Sequence, residues 1–305
     1  MYVVTGATGN TGHIVAKRLL TSGQKVRAIG RTADRLQSLV AQGAEPFVAD
    51  LSDKQALTKA FTGARAVYAI IPPNLTTEDF RAYQDRIADA IAAALAAAKV
   101  PYAVSLSSIG ADKPDKTGPV VGLHNLEQQL NQIAGLNVLH LRAGYFMENT
   151  LAQAGIIQAM GITAGPLRPD LKLPMIATRD IGAVAAEELL KLDFQQKQTR
   201  ELQGQRDLSM TEAAAIIAKA IGGKAIGKPD LVYEQLPDEQ VRPALTQLGM
   251  SLNMANLILE MAAALNSGYM RALEPRSARN TTPTSYEVFV AEEFVPAYQG
   301  KARAA

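Results

Sequence analysis

The sequence predicts a Rossmann-like α/β fold, in which a doubly wound parallel sheet is joined to a smaller α/β domain. In the first half of the chain, short apolar runs alternate with longer stretches of helical periodicity, and the connections between them are short. This alternation is typical of βαβ units and therefore of a parallel sheet. A glycine-rich turn follows the first apolar run, and right-handed crossovers make the doubly wound topology the leading one.

The period of the apolar residues predicts the elements of this half. Ser52 is expected to cap the third helix. The strands are expected at 2–4, 25–29, 45–48, 66–71, 102–106 and 137–141. The helices are expected at 11–22, 35–41, 55–61, 77–98 and 123–133.

The second half has a different character. Residues 155–174 are dense in glycine and proline and are predicted to be a loop. We expect residues 1–150 to form the Rossmann-like domain, to which 176–206 returns, and 151–175 with 207–305 to form a smaller lid domain. Short strands are expected at 200–202 and 231–233. Helices are expected at 180–192, 209–220 and 250–265, and a last helix is expected from near Ser285.

Composition excludes several classes of protein. The 305 residues are 48% hydrophobic and 20% charged, as in an ordinary soluble globular protein. The formal net charge of +2 gives no sign of direct nucleic-acid binding. The absence of cysteine excludes thiolate chemistry, and the three widely spaced histidines form no metal-binding pattern, so we expect no metal. No secretory leader and no membrane span are predicted, so we expect a cytoplasmic protein.

The strongest motif is the glycine-rich turn between the first strand and the first helix. Its glycines follow the spacing Gly6-x-x-Gly9-x-x-Gly12, a variant of the dinucleotide-binding fingerprint. Gly6 is expected to allow the tight turn, Gly9 to let a pyrophosphate approach, and Gly12 to let the helix pack closely. The helix N-terminus adds amides and a positive dipole. The residues expected to bind the cofactor here are Gly6, Thr8, Gly9, Asn10, Thr11 and Gly12.

The end of the second strand predicts which nicotinamide cofactor binds. An NAD enzyme usually has an acidic residue there, for the ribose 2′-hydroxyl, whereas this strand ends in Gly30-Arg31. Arg31 can bind a 2′-phosphate in bidentate fashion, and Arg35 can add charge. We therefore expect NADP(H) rather than NAD(H). Asp50 and Leu51, after the third strand, are expected to flank the adenine, although Asp50 could equally cap the next helix.

Two further turns end the fourth and fifth strands. Ligands of open α/β sheets bind outside the carboxyl ends of the strands, near the switch point. Ile71 and Pro72, and likewise Ser107 and Ser108, should therefore lie along the nicotinamide ribose and its ring. For the two serines, simple turn chemistry is an equally good explanation.

Seven segments spread over nearly the whole chain carry a family resemblance: 5–12, Gly30-Arg31, 107–111, 124–127, 141–149, 283–287 and 294–298. They resemble the NmrA-like group of atypical short-chain dehydrogenases. The resemblance implies an NADP-binding domain and a smaller C-terminal domain with a cleft between them. It also implies a function among quinone and azo-dye reductases, reductases of plant phenylpropanoids, or redox sensors that bind NADP without known turnover.

The sequence departs from typical short-chain dehydrogenases in the residues that would act as the proton donor. No Tyr-x-x-x-Lys pair follows the fifth strand, and the nearest pattern, Tyr83-Gln-Asp-Arg86, lies on the preceding helix and lacks the lysine. His124 is the best substitute acid, since its unperturbed pKa is near 6.5, although a structural histidine at a helix start is an equal alternative. Tyr145 is the second candidate.

The substrate is expected beside the segment that follows the sixth strand. Phe146 could stack on a flat substrate, and Asn149 could orient a carbonyl. The leading hypothesis is an NADP(H)-dependent oxidoreductase that passes hydride to a small quinone or carbonyl compound held under the lid. The alternative is a non-catalytic NADP(H)-binding redox sensor, which could act as a homodimer or with a protein partner.

Overall fold

The computed structural model describes residues 1–222 and 231–301. Its strands are β1 (Tyr2–Val4), β2 (Val26–Gly30), β3 (Glu45–Val48), β4 (Ala66–Ala69), β5 (Tyr102–Ser108), β6 (Asn137–Ala143), β7 (Tyr145–Phe146), β8 (Thr163–Gly165), β9 (Leu173–Ile176), β10 (Lys197–Leu202), β11 (Asp207–Leu208) and β12 (Tyr233–Gln235). Its α-helices are α1 (Asn10–Thr21), α2 (Gln37–Val40), α3 (Lys54–Phe61), α4 (Phe80–Ala97), α5 (Val121–Asn131), α6 (Gln153–Met160), α7 (Thr178–Lys191), α8 (Met210–Ala220), α9 (Asp238–Gln247), α10 (Leu252–Asn266), α11 (Tyr286–Phe289) and α12 (Val295–Tyr298). A π-helical turn, Val290–Phe294, joins the last two helices.

A seven-stranded parallel sheet forms the centre, in the order β10-β6-β5-β4-β1-β2-β3. The chain moves outward from β1 to β3 and then returns to β4 on the other side of β1. The strand order therefore reverses between β1 and β4, which opens a crevice at their carboxyl ends. This doubly wound sheet confirms the predicted fold class.

Helices cover both faces of the sheet. On one face, α1 and α7 pack closely because Gly182 has no side chain: a Cβ there would lie 2.7 Å from Cβ of Ile14. On the other face, α3, α4 and α5 lie side by side. Successive strand residues alternate between the two cores, as Val3 and Val4 do in β1, and both are fully buried.

The C-terminal elements form a third hydrophobic core beside the sheet, built on α8, α10 and the turn after α11. The predicted loop at 155–174 is wrong, because it contains most of α6 and all of β8. Gly161, which reads as a loop residue, ends α6 in the left-handed conformation with φ 75°. The strand expected at 231–233 lies at 233–235, where it pairs with β8. The helix α9 has no counterpart in the prediction and contains Pro243.

The helix caps follow from local chemistry. The Asp53 carboxylate, not Ser52, caps α3 by accepting from the N–H groups of Gln55 and Ala56. Ser209 and Glu212 form the reciprocal capping box that the sequence indicates for α8. Residues 223–230 and 302–305, which belong to the range 207–305 expected for the lid, lie outside the described residues.

A strap made of residues 273–280 runs along the outer edge of β10. The buried Glu201 carboxylate accepts from the Leu273 N–H at 2.9 Å. The Gln203 N–H, just past the strand, donates to the Asn280 carbonyl at 2.8 Å.

Among the described residues, no helix is long and apolar enough to cross a bilayer.

Candidate functional site

The turn between β1 and α1 requires glycine at two positions for internal reasons. Gly6 has φ 60°, and a Cβ there would lie 2.2 Å from Cδ1 of Ile70. A Cβ on Gly12 would lie 2.3 Å from the Gly6 carbonyl oxygen. The tight turn expected of Gly6 is therefore present, and Gly12 lets the first turn of α1 pack against the loop itself.

Gly9 is different, because the packing of the chain does not demand a glycine there. Its φ of −95° and ψ of 173° suit any residue. A Cβ would meet only the Gly6 carbonyl oxygen, at 3.4 Å, which is close to ordinary contact. Gly9 is also exposed, at the N-terminus of α1. A bare backbone at this point favours the close approach of a ligand.

The N-terminus of α1 suits an anion. Gly9 is the N-cap residue and has no side chain to accept from the first amides, and the first turn holds no acidic residue. The helix dipole places partial positive charge at the same point. Of the polar side chains expected to bind here, Asn10 is exposed and Thr8 is half-buried. The Thr11 hydroxyl is buried and accepts from the Tyr68 hydroxyl at 3.0 Å.

Thr5 begins the glycine motif but is not among the residues expected to bind the cofactor, and it joins the two strands that border the crevice. Its hydroxyl donates to the Tyr68 carbonyl at 2.9 Å and accepts from the Ile70 N–H at 3.0 Å. These bonds tie the end of β1 to the end of β4. The glycine loop therefore starts from a fixed point at the switch of strand order.

A pair of oppositely charged residues lies beyond β2 and β3. Arg31 and Asp50 are both exposed there. Hydrogen bonds from Ser52, 2.8 Å from its N–H and 2.7 Å from its hydroxyl, lower the pKa of Asp50, and the charges of Arg31 and Arg86 lower it further. Asp50 thus caps a local turn rather than α3. Arg35 is exposed in the 3-10 turn Asp34–Leu36, and Leu51 is buried in the core under α3.

The turns after β4 and β5 hold the other residues expected near the nicotinamide. Ile71 and Pro72 are half-buried, and the Pro72 carbonyl accepts from the Tyr83 hydroxyl at 3.1 Å. Ser108 is half-buried, and its hydroxyl donates to the Ile109 carbonyl at 2.9 Å. These groups border the same crevice, at the carboxyl edge of the sheet.

Ser107 points the other way, into a buried charged network that the sequence analysis missed. Its hydroxyl donates to Glu127 Oε1 at 2.5 Å. Arg142 binds the same carboxylate with Nε and Nη2, at 3.0 and 2.6 Å. The sequence signal for the pair of Glu127 and Arg142 was the position of Glu127, four residues after Leu123 and three before Leu130, which puts this glutamate on the apolar face of α5.

His124 lies in the first turn of α5 and is half-buried. Its Nδ1 is 2.8 Å from the Ala111 carbonyl oxygen. Since a carbonyl oxygen can only accept, Nδ1 carries the proton. Within the described residues, Nε2 makes no hydrogen bond, so this nitrogen can face a reacting group. When protonated, it becomes a second donor.

The segment after β6 divides its residues between two tasks. Tyr145 is half-buried against the C-terminal core; burial raises its pKa to about 12, and a hydrogen bond with Asn149 opposes that shift. Phe146 packs partly against the core under α1 and α7, and Asn149 is exposed. Glu148 accepts from the Thr178 N–H at 3.0 Å and so holds the start of α7. Phe146 therefore lies against the sheet, Asn149 lies beside Tyr145, and Glu148 has a structural role.

The described residues contain no cluster of three or more histidine, aspartate or glutamate side chains that could hold a metal ion.

The parallel sheet, the crevice at the switch of strand order and the glycine loop above it define a Rossmann-fold protein. The sequence matches the NmrA-like family over residues 2–294, so the chain belongs to that family.

Individual relatives are reductases. The chain is 29% identical over 272 residues to an NAD(P)H azoreductase of Xenophilus azovorans, covering 88% of this chain and 89% of that protein. It is 29% identical over 273 residues to quinone oxidoreductase 2 of Escherichia coli K12, with the same coverage. The crystal structure of the NADPH-dependent quinone oxidoreductase QOR2 of Escherichia coli, complexed with NADPH, superposes with a TM-score of 0.73. That match covers 100% of this chain and 96% of that one at 23% identity, and it reflects the shared fold.

Proposed function

We propose that this protein is an NADP(H)-dependent oxidoreductase that passes hydride to a small quinone or carbonyl compound. One observation carries the proposal: the unshielded backbone at Gly9, at the positive end of α1, lies on the same sheet edge as the exposed Arg31. A pyrophosphate and a 2′-phosphate are the two anions that such an arrangement fits. The azo and quinone reductases among the relatives support the reaction class.

The residues present fit the adenosine and pyrophosphate parts of NADPH. The loop from Gly6 to Gly12 and the first amides of α1 would hold the pyrophosphate, and Arg31 would hold the 2′-phosphate, with Arg35 adding charge. Asp50 would flank the adenine, whereas Leu51, which was expected there too, is buried in the core under α3. Ile71, Pro72 and Ser108 would lie along the ribose and the nicotinamide. When bound, NADPH supplies the hydride, and the chain's own work is to orient the ring and exclude water.

His124 is the residue best suited to supply a proton to the reduced substrate. Its Nδ1 proton is held by the Ala111 carbonyl, which leaves Nε2 for the substrate oxygen. Tyr145 is the second candidate, but a pKa of about 12 keeps its proton tightly bound. A quinone, which accepts hydride readily, can also take its proton from water.

The substrate would lie between the sheet edge and the C-terminal elements. We propose that residues 151–175 and 207–305 form the substrate side, with Phe146 stacking on a flat ring and Asn149 orienting a carbonyl. The proposal keeps the cytoplasmic location expected from the sequence.

The direct test is oxidation of NADPH, followed at 340 nm, with a panel of benzoquinones, naphthoquinones, aldehydes and azo dyes. We expect at least one quinone to be reduced, with one NADPH consumed per quinone. Inertness toward the whole panel, from protein that binds NADPH, would exclude the catalytic assignment for these substrate classes.

One observation favours a second function, that of a redox sensor. Helix α5 carries no Tyr-x-x-x-Lys pair, and the Ser107 hydroxyl is bound to Glu127 rather than directed at the crevice. A sensor should bind NADPH and NADP+ with unequal affinities and show no turnover, because only differential affinity shifts a conformational equilibrium. It would also need a protein partner or a homodimer to transmit the change. Equal affinities for the two forms would remove this candidate.

A further inference from the structure

Helix α4 carries the segment Tyr83-Gln-Asp-Arg86, and the structure places this segment beside the turn after β4, at the crevice. The Tyr83 hydroxyl donates to the Pro72 carbonyl at 3.1 Å, which fixes this part of α4 against the turn after β4. Arg86 lies three residues further along α4 and is exposed. Residues three apart on a helix are neighbours on its surface, so Arg86 is near that turn as well.

Two aspartates of α4 bind side chains of α5. Asp85 accepts from the Asn125 side chain at 3.1 Å, and Asp89 accepts from the Gln129 side chain at 2.8 Å. Both bonds join α4 to α5. Arg86 takes part in neither bond, and its side chain is exposed.

The register of β2 and β3 brings Arg31 and Asp50 to the same place. Gly30 pairs with Val48, and the Ala49 N–H donates to the Gly30 carbonyl at 3.1 Å. Arg31 and Asp50 are the next residues beyond this bond on their two strands. The charges of Arg31 and Arg86 both act on Asp50 and on the Tyr83 hydroxyl, so all four groups share one locality.

We propose that Arg86 is a second cation for the adenosine 2′-phosphate and determines, together with Arg31, the preference for NADPH over NADH. This inference rests on the proposed use of a nicotinamide dinucleotide. Neither guanidinium donates a hydrogen bond to another group of residues 1–222 and 231–301, so both forks remain available to a ligand.

Charge balance explains why a further arginine is needed beside Arg31 and Arg35. Asp50 is anionic and cancels about one positive charge, so these two arginines would present only about one net positive charge to the phosphate. A phosphate monoester carries about −1.5 to −2 charges at neutral pH. Arg86 restores the net positive charge that such a dianion requires, while the uncharged 2′-hydroxyl of NADH has no use for it.

Calorimetric titration of the full chain tests this assignment, with adenosine 2′,5′-bisphosphate, 5′-AMP, NADPH and NADH as the probes. The variants are Arg86→Ala and Arg86→Lys. Arg65→Ala is the matched control, because Arg65 is also exposed but lies just before β4, at the opposite edge of the sheet. Arg86→Ala should weaken NADPH and the bisphosphate by about tenfold or more, the effect of one charged hydrogen bond. 5′-AMP and NADH should change by less than about twofold, and Arg86→Lys should lose less than Arg86→Ala.

The inference is overturned if Arg86→Ala matches Arg65→Ala, or if it weakens NADH as much as NADPH. The second result would mean that Arg86 contacts the adenine or only maintains the fold. Tight NADPH binding by the wild type without turnover of any quinone would remove the proposed activity and leave the role of Arg86 intact. If the wild type binds neither NADPH nor the bisphosphate, both proposals fail.

Discussion

Glu127 and Arg142 form a two-pronged ion pair between α5 and β6, and the Glu127 side chain is only 2% exposed. Ser107 donates a third hydrogen bond to the same carboxylate. We expect Glu127→Ala to lower the free energy of unfolding by about 3–5 kcal/mol, because it leaves the Arg142 charge without its partner. The pair between Arg27 and the exposed Glu45 provides the control, and Glu45→Ala should cost less than about 1 kcal/mol, because Arg27 keeps its bond to the Ala60 carbonyl. Urea unfolding measures both, and equal losses would contradict the expectation.

His140 predicts a pH dependence of stability. Burial lowers its pKa to about 4, and the neutral ring bonds to Ser105 at 2.7 Å and to Asn131 at 3.0 Å. The unfolded chain takes up a proton near pH 6.5, whereas the folded chain does so only near pH 4. The contribution of His140 is therefore complete above about pH 6.5 and is lost as the pH falls toward 4, by up to about 3 kcal/mol. The free energy of unfolding, measured with urea at several pH values between about 4 and 7, should change less with pH in His140→Gln than in the wild type. An equal change in the variant would mean that another group causes the pH dependence.

Gly9 and Gly6 should separate ligand binding from folding. Gly9→Ala should cost less than about 1 kcal/mol of stability, since its backbone is extended and its surroundings are open. It should nevertheless weaken NADPH binding by tenfold or more, the equivalent of about 1.4 kcal/mol. Gly6→Ala should lower the melting temperature, because φ is 60° and Ile70 occupies the space. Unchanged NADPH affinity in Gly9→Ala would mean that the loop does not meet the pyrophosphate.

Arg31 should discriminate between the two reduced cofactors. Arg31→Ala should weaken NADPH by about 1.5–3 kcal/mol, the scale of a charge-assisted contact, and leave NADH nearly unchanged. The chain has no tryptophan, so the emission of the nicotinamide itself is the convenient signal. A uniform loss for both cofactors would indicate a role in folding the loop.

His124 should contribute to turnover if it donates the proton. His124→Gln should lower kcat by about 100-fold on a substrate that needs an acid. On an electron-poor quinone the loss should be small, because water can supply the proton. Tyr145→Phe is the matched comparison, and a larger loss there than in His124→Gln would exchange the two roles.

Local sequence patterns account for much of the fold and for the cofactor loop. The fold class is confirmed, and the predicted strands at 2–4, 45–48 and 137–141 begin where expected. Strands β1 and β6 are marked by buried apolar runs, whereas the marginal strand β3 is mostly exposed. The glycine turn could be predicted from the spacing of its glycines, and Gly6 has the positive φ of 60° that favours glycine.

The features that the sequence did not predict include side-chain orientations that depend on residues far along the chain. The orientation of Ser107 is set by Glu127, 20 residues away, and no local pattern distinguishes it from that of Ser108. Arg86 gains meaning only when the register of β2 and β3 brings Asp50 toward α4. The helix α9 was missed because Pro243 lies within it, although an acidic first turn favours the helix.

The strap over β10 has a consequence for how two molecules can meet. It covers the carboxyl end of that margin, where the Glu201 N–H donates to Glu274 Oε1 at 3.3 Å and the Gln203 N–H donates to the Asn280 carbonyl at 2.8 Å. At the opposite margin, β3 carries Pro46, which has no N–H to offer. Both features make the addition of a further strand at these margins less favourable, which reduces the tendency to edge-to-edge aggregation.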